Sequence, residues 1–194
     1  MGVGAPAVSA ARRGATGRAR ARPGLRRRPL PRCAARHGRD PVGVELAEAA
    51  LERARRNVPG AELHLLAPGG ELPLEDASVD LVWCSEVLEH VPDTAGLLSE
   101  ARRVLRTHGR LLVTTPSHDL PRRLLIALAR FDEHFDPLGQ HVRFYSRRSL
   151  ARVLGEFAFE DIHVTSIGGP PGLRESLVAR ARKASLLEAT SALL

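Results

Sequence analysis

The stretch Val79-Asp-Leu-Val-Trp-Cys-Ser-Glu-Val-Leu-Glu-His-Val-Pro-Asp93 decides the fold. Its opening residues, Val79 to Cys84, read as a strand apolar enough to be covered on both faces, as strands of parallel sheets are. Its last residue, Asp93, is placed to cap a helix. Leu97, Ala101, Val104 and Leu105 then fall at i, i+4, i+7 and i+8, one apolar face, with Gly109 as the expected stop. A buried strand followed by a polar turn and a capped amphipathic helix is half of a βαβ unit.

The same alternation continues on both sides. Pro41 to Glu45 (PVGVE) is expected as a short strand, Leu46 to Asn57 as a helix closed by Val58-Pro59-Gly60, and Ala61 to Leu66 as a second strand. Downstream, Leu111 to Thr115 and Phe159 to Ser166 read as strands, and Leu120 to Phe131 and Ser149 to Phe157 as helices. After Gly168-Gly-Pro-Pro-Gly172 the chain has helical propensity and no clear strand. This order predicts an α/β fold, a doubly wound and mostly parallel sheet with helices on both faces. Ligands of such sheets bind beyond the carboxyl ends of the strands, so the loops after Glu45, Leu66 and Cys84 matter most.

Charge is uneven. Residues 1–39 hold eleven arginines and no acid, a charge of +11, whereas the whole chain carries +7 and residues 40–194 therefore −4. The acidic remainder argues against nucleic-acid binding across its surface. The arginine-rich segment lacks the apolar run of a secretory signal, and Pro23, Pro29 and Pro31 break the amphipathic helix a transit peptide would need. It also has no aromatic residue to stack on a base. Three units follow: residues 1–39 as a disordered Arg-rich tail, 40–168 as the domain, and 169–194 as a helical or disordered C-terminal tail. No wholly apolar run is long enough to span a bilayer. Cys33 and Cys84 form no disulfide framework and suit a reducing, cytoplasmic compartment.

Glu45 has two readings. An acid at the end of a strand can accept hydrogen bonds from the two hydroxyls of a ribose, and it can equally be a first-turn acid favoured by a helix dipole. Glu86, Glu89 and His90 fall at i, i+3 and i+4, one face if the segment is helical. Two carboxylates and an imidazole are a ligand set for a divalent cation. The favoured reading has no metal: His90 lines a pocket or packs under the helix while the glutamates are solvated. His141 is the expected distant partner of His90, and the alternative for His141 and Tyr145 is a polar pair on a lid.

The series VGVE, ELPLEDASVDLVWCSEVLEHVPD, GRLLVTTP and HVRFYSRRSL resembles the class I S-adenosylmethionine-dependent methyltransferases, over residues 40–168. The nearest subgroup is similar to the small-molecule enzymes of ubiquinone and menaquinone biosynthesis. The resemblance implies S-adenosyl-L-methionine as cofactor and a small-molecule methyl acceptor. It implies Glu45 on the cofactor ribose, with Cys84 and Ser85 bordering the methionine portion. The family's adenine-binding Asp falls on Pro68 here, which leaves the Gly69 backbone to meet the ring. Some relatives hold a metal with a similar Glu-x-x-Glu-His. The family has no fixed catalytic residue, and His90 and His141 are the candidates to take a proton from the acceptor.

The resemblance also implies a first strand leading into a glycine-rich turn about 20 residues before the ribose acid. That count reaches Gly24 to Arg28, where three consecutive arginines cannot make the turn. The sheet is thus expected to be incomplete, its first and last strands absent or degraded, and the alternative function is a non-catalytic remnant of the family. The chain uses 28 Arg and one Lys, as GC-rich coding does. One permitted codon choice for Gly24 to Pro31, read one base later, spells Gly-Cys-Gly-Asp-Gly-Arg-Phe, which is such a turn. On that reading residues 1 to about 35 are translated out of frame, and the coding DNA tests it.

Overall fold

A computed structural model describes residues 7–12 by their backbone, and residues 41–67, 69–170 and 173–185 with side chains. In chain order the elements are β1 (Ala7–Arg12), β2 (Pro41–Glu45), α1 (Glu48–Asn57), β3 (Glu62–Leu65), β4 (Val79–Ser85) and α2 (Thr94–Val104). They continue with β5 (Leu105–Pro116), α3 (Leu120–Ala129), α4 (Phe131–His134), α5 (Arg147–Glu156), β6 (Phe159–Ile167) and β7 (Ser176–Lys183). The strands form one sheet in the order β3-β2-β1-β4-β5-β7-β6. The pairs β2–β3 and β4–β5 are parallel. β7 is antiparallel to both β5 and β6. The α/β class and the doubly wound sheet are those the sequence predicts.

The expected loss of the last strand is corrected. β7 forms within the segment read as helical, because Leu177, Ala179 and Ala181 alternate along it and are buried. Alanine and arginine favour helix in isolation, but β7 lies between β5 and β6 and pairs with both, and that tertiary pairing prevails. In the first strand's place the sheet holds a short antiparallel strand. The backbone of Ala7–Arg12 lies between β2 and β4, antiparallel to both, with Ala7 opposite Glu45 and Ser85. It supplies hydrogen-bond partners that those two strands need in the sheet interior. Six residues of the segment expected to be a disordered tail are therefore strand. Gly24 to Arg28, where the glycine turn was counted, lie outside the described residues, as does the segment on which the reading-frame expectation rests.

Asp93 caps α2 as expected, its Oδ1 accepting a hydrogen bond from the Gly96 N–H at 2.8 Å. Gly109 is not the helix stop. The helix ends at Val104, Leu105 is already extended, and Gly109 sits inside β5. A Cβ there would come within 2.8 Å of the Arg106 carbonyl oxygen, in the irregular stretch where the β4–β5 register shifts. Glycine is needed for that bulge.

The core is continuous. Leu98, Ala101 and Val104 of α2 and Leu150 and Leu154 of α5 join Val82, Cys84, Leu111 and Val113 of the central strands in one buried cluster. β4 also buries a charge, with the Asp80 carboxylate 2.6 Å from Arg106 Nε. Among the described residues no helix is long and apolar enough to cross a membrane.

Candidate active site

The carboxyl ends of β2, β3 and β4 open onto a cavity of about 480 Å³, within the range of small-molecule sites. Glu45 lies on its wall, buried at the end of β2, and its backbone carbonyl accepts a hydrogen bond from Leu66 N–H at 2.8 Å. The helix after it begins at Glu48, which is the first-turn acid, so the dipole does not account for Glu45. Leu46, Leu66, Val87 and Leu97 supply apolar walls, and Gly69 and Gly70 line one side. Gly69 has φ +74 with open space where a Cβ would be, so its backbone faces the cavity without obstruction. Pro68 lies outside the described residues.

Cys84 and Ser85 end β4 with opposite environments. The Cys84 side chain is in the core, where burial pushes its thiol up to about 12, so its contribution to a site is backbone only. Ser85 is half-buried, its hydroxyl 3.1 Å from that of Thr114.

The segment from Glu86 to His90 is a turn and not a helix. Glu86 takes φ +54, and His90 N–H donates to the Val87 carbonyl at 2.9 Å. The condition for one helical face of Glu86, Glu89 and His90 is therefore not met. The turn instead brings Glu89 and His90 to His141, with one potential ligand atom from each within 4.8 Å of the others. Those donor types suit a divalent cation. The expectation of solvated glutamates fails for Glu89, which is buried. Its Oε2 accepts from the Thr115 hydroxyl at 3.0 Å, and burial, reinforced by Glu86, pushes its carboxyl up to about 7.

His90 Nδ1 lies 3.0 Å from the Gln140 carbonyl oxygen, which can only accept, so that nitrogen donates, and Nε2 lies 3.8 Å from Glu89 Oε1. The His90 and His141 rings lie 4.7 Å apart. Burial and the neighbouring His90 lower the His141 pKa, which keeps its imidazole neutral at pH 7. The sequence thus paired His90 and His141 across fifty residues as the structure does. Tyr145 is no lid residue: it is buried, its hydroxyl 3.4 Å from Thr94 Oγ1.

A second imidazole pair escaped the sequence reading. His118 Nε2 and His134 Nε2 are 2.8 Å apart, packed against Phe144. His118 Nδ1 faces the Pro116 carbonyl, so His118 Nε2 accepts from His134. Burial and the His134 charge pull His118 down to about 4. The only local signal was the histidine that directly follows the TTPS end of β5.

A model of the methyltransferase domain family matches residues 27–113. The similarity is to S-adenosylmethionine-dependent methyltransferases. A relative from Mycobacterium tuberculosis named "Probable S-adenosylmethionine-dependent methyltransferase" is 34% identical over 137 residues, 71% of this chain and 47% of that protein. The ubiquinone biosynthesis O-methyltransferase of Idiomarina loihiensis is 30% identical over 152 residues, 71% of this chain and 60% of that enzyme. The match thus spans less than two thirds of either relative. Among solved structures, a SAM-dependent methyltransferase from Thermotoga maritima superposes with a TM-score of 0.59 at 23% identity, over 72% of each chain, and shares the methyltransferase fold.

Proposed function

We propose that this methyltransferase domain moves a methyl group from S-adenosyl-L-methionine to a small-molecule acceptor. The observation that carries the reading is the cavity at the ends of β2, β3 and β4, where a buried acid, apolar walls and an open glycine backbone converge. Its features fit the nucleoside of the cofactor. Glu45 takes the ribose hydroxyls, Leu46, Leu66, Val87 and Leu97 enclose the flat ring, and the Gly69 backbone meets the ring edge. The Cys84 backbone and Ser85, next along the sheet edge, border the methionine portion.

When bound, the cofactor supplies an electrophilic methyl on a sulfonium. The protein's part is to hold acceptor and methyl in line and keep water out. His90 and His141 face the acceptor. Where the acceptor must lose a proton, neutral His141 takes it, with His90 stacked beside it and fixed by the Gln140 carbonyl. A cytoplasmic setting accords with the buried free thiol of Cys84. The similarity to the Idiomarina loihiensis ubiquinone biosynthesis O-methyltransferase supports an oxygen atom as the methyl acceptor.

Calorimetric titration of the full chain with S-adenosylmethionine tests the reading. Micromolar binding is expected, and its absence at millimolar cofactor would favour a non-catalytic remnant of the family.

A further inference from the structure

At the end of the sheet opposite the cofactor cleft, two cations meet without an acid of their own. Val79 at the start of β4 pairs with Leu105 at the start of β5, and antiparallel β7 brings its last residue, Lys183, to the same end. The last turn of α2 lies there too, because Val104 leads directly into Leu105. Ser99, Arg102, Arg103, Thr107, Lys183 and Ala184 line a cavity of about 360 Å³ at this place. Arg103 is fully engaged. All five of its N–H donors bond, to the Glu100 and Asp76 carboxylates and to the Leu72 and Leu74 carbonyls. Arg102 and Lys183 bond only to backbone. Arg102 Nη1 donates to the Ala158 and Ala184 carbonyls at 3.0 and 3.4 Å, and Lys183 Nζ donates to the Leu105 carbonyl at 2.6 Å. The Arg102 Nε and Nη2 hydrogens and the other Lys183 hydrogens bond to no acid among the described residues.

We infer that this cavity binds the phosphate group of a small phosphomonoester. The three carbonyls fix the two cations in place, so their remaining donors are held ready for an anion. A phosphate dianion offers three unblocked oxygens, which suit the Arg102 fork, the Lys183 ammonium and the Ser99 and Thr107 hydroxyls of the same cavity. Burial, then the Arg102 charge, lowers the Lys183 pKa, as expected of cations held together without a counterion. With Asp76 and Glu100 counted against Arg103, the five charged side chains still sum to +1, within residues 40–194 that sum to −4. The cavity is larger than a phosphate ion, which leaves room for the organic part of the ester.

Lys183 is the only lysine in the chain, so carbon-13 lysine gives one side-chain signal from the full-length protein. That signal is local, whereas the eleven arginines of residues 1–39 would take up phosphate by charge alone. At pH 8 and constant ionic strength, inorganic phosphate should move the Lys183 Cε signal along a saturating curve, half complete at about 1 mM, while chloride leaves it in place. Arg102→Gln should raise the half-saturating concentration about tenfold. Arg102 also holds two carbonyls, so Thr107→Val is the second variant. Thr107 is exposed, so the circular dichroism spectrum should stay unchanged while half-saturation rises about threefold. Dimethyl phosphate, with two oxygens blocked, should bind about tenfold more weakly than phosphate. Equal binding of dimethyl phosphate would overturn the inference in favour of the diesters of nucleic acid or lipid. A Lys183 signal that phosphate leaves unmoved, or that moves alike in wild type and both variants, would overturn it outright.

Discussion

The cleft beside Glu45 and the histidine cluster around His90 and His118 share one edge of the sheet and are built from different materials. The cleft is a mainly apolar box with one buried acid, and His90 lines it where the two regions meet. The cluster gathers four imidazoles, from the turn after β4, the end of β5, α4 and the loop before α5. The cleft draws mainly on residues just past strand ends, with Leu97 of α2 added, so most walls lie near a strand that the hydrophobic pattern already marks. The cluster draws on residues far apart, and its protonation states are set by burial and by neighbours the sequence does not reveal. A surface for holding a flat, partly apolar nucleoside needs little titratable chemistry. A surface that handles a proton needs it.

Perturbations of the two sides should therefore separate. The largest expected effect is on turnover. His141→Ala should lower the rate of methyl transfer to a hydroxyl acceptor about 100-fold while leaving cofactor affinity within about twofold, read by single-turnover kinetics and calorimetry. An equal loss in cofactor affinity would collapse the distinction between the two sides.

Gly69→Val probes the cleft. A branched side chain at φ +74 costs about 1 kcal/mol of stability, and its methyls enter the cavity, so thermal denaturation should fall slightly and cofactor affinity about tenfold. Unchanged affinity would remove Gly69 from the adenine wall.

The smaller effects are pH dependences of opposite sign. Glu89 has its folded pKa raised from 4.5 to about 7 by burial. The folded state therefore favours its proton, and that contribution is full below the ordinary carboxyl range and lost as pH rises through about 7. Glu89→Gln keeps an acceptor for Thr115 and should flatten this decline in urea unfolding curves recorded between pH 4.5 and 7.5. His118 behaves in reverse. Its pKa is depressed from 6.5 to about 4, so stability is present above 6.5 and lost as pH falls toward 4. His118→Asn should reduce that acid loss, and a wild-type curve flat over this range would argue that His118 is more hydrated than its packing implies.

The fold was largely legible in the sequence because its signals are local. Val79–Cys84 announced a buried strand, Asp93 a cap, and PVGVE a strand ending in an acid. β7 was not legible, because an alternation of Ala and Arg carries no strand preference until β5 and β6 supply its partners. Gly109 was misread because a glycine after a helix and a glycine in a bulge look alike in one dimension. Among the candidate site residues, Glu45 was singled out by its place at a strand end and Gly69 by the resemblance to the family, and both line the cavity. Glu89 was expected to be solvated, whereas Glu86 at φ +54 turns the chain and sends Glu89 inward to Thr115. His118 and His134 were invisible as a pair, since fifteen residues of helix and turn separate them.

The central claim is that the Glu45 cleft holds S-adenosylmethionine independently of His141. The measurement that tests it most directly is calorimetric titration of the cofactor into wild type, Glu45→Ala and His141→Ala, side by side. A carboxylate bonded to both ribose hydroxyls contributes enough that Glu45→Ala should bind about 100-fold more weakly, while His141→Ala matches wild type. Equal affinity of Glu45→Ala and wild type would contradict the account.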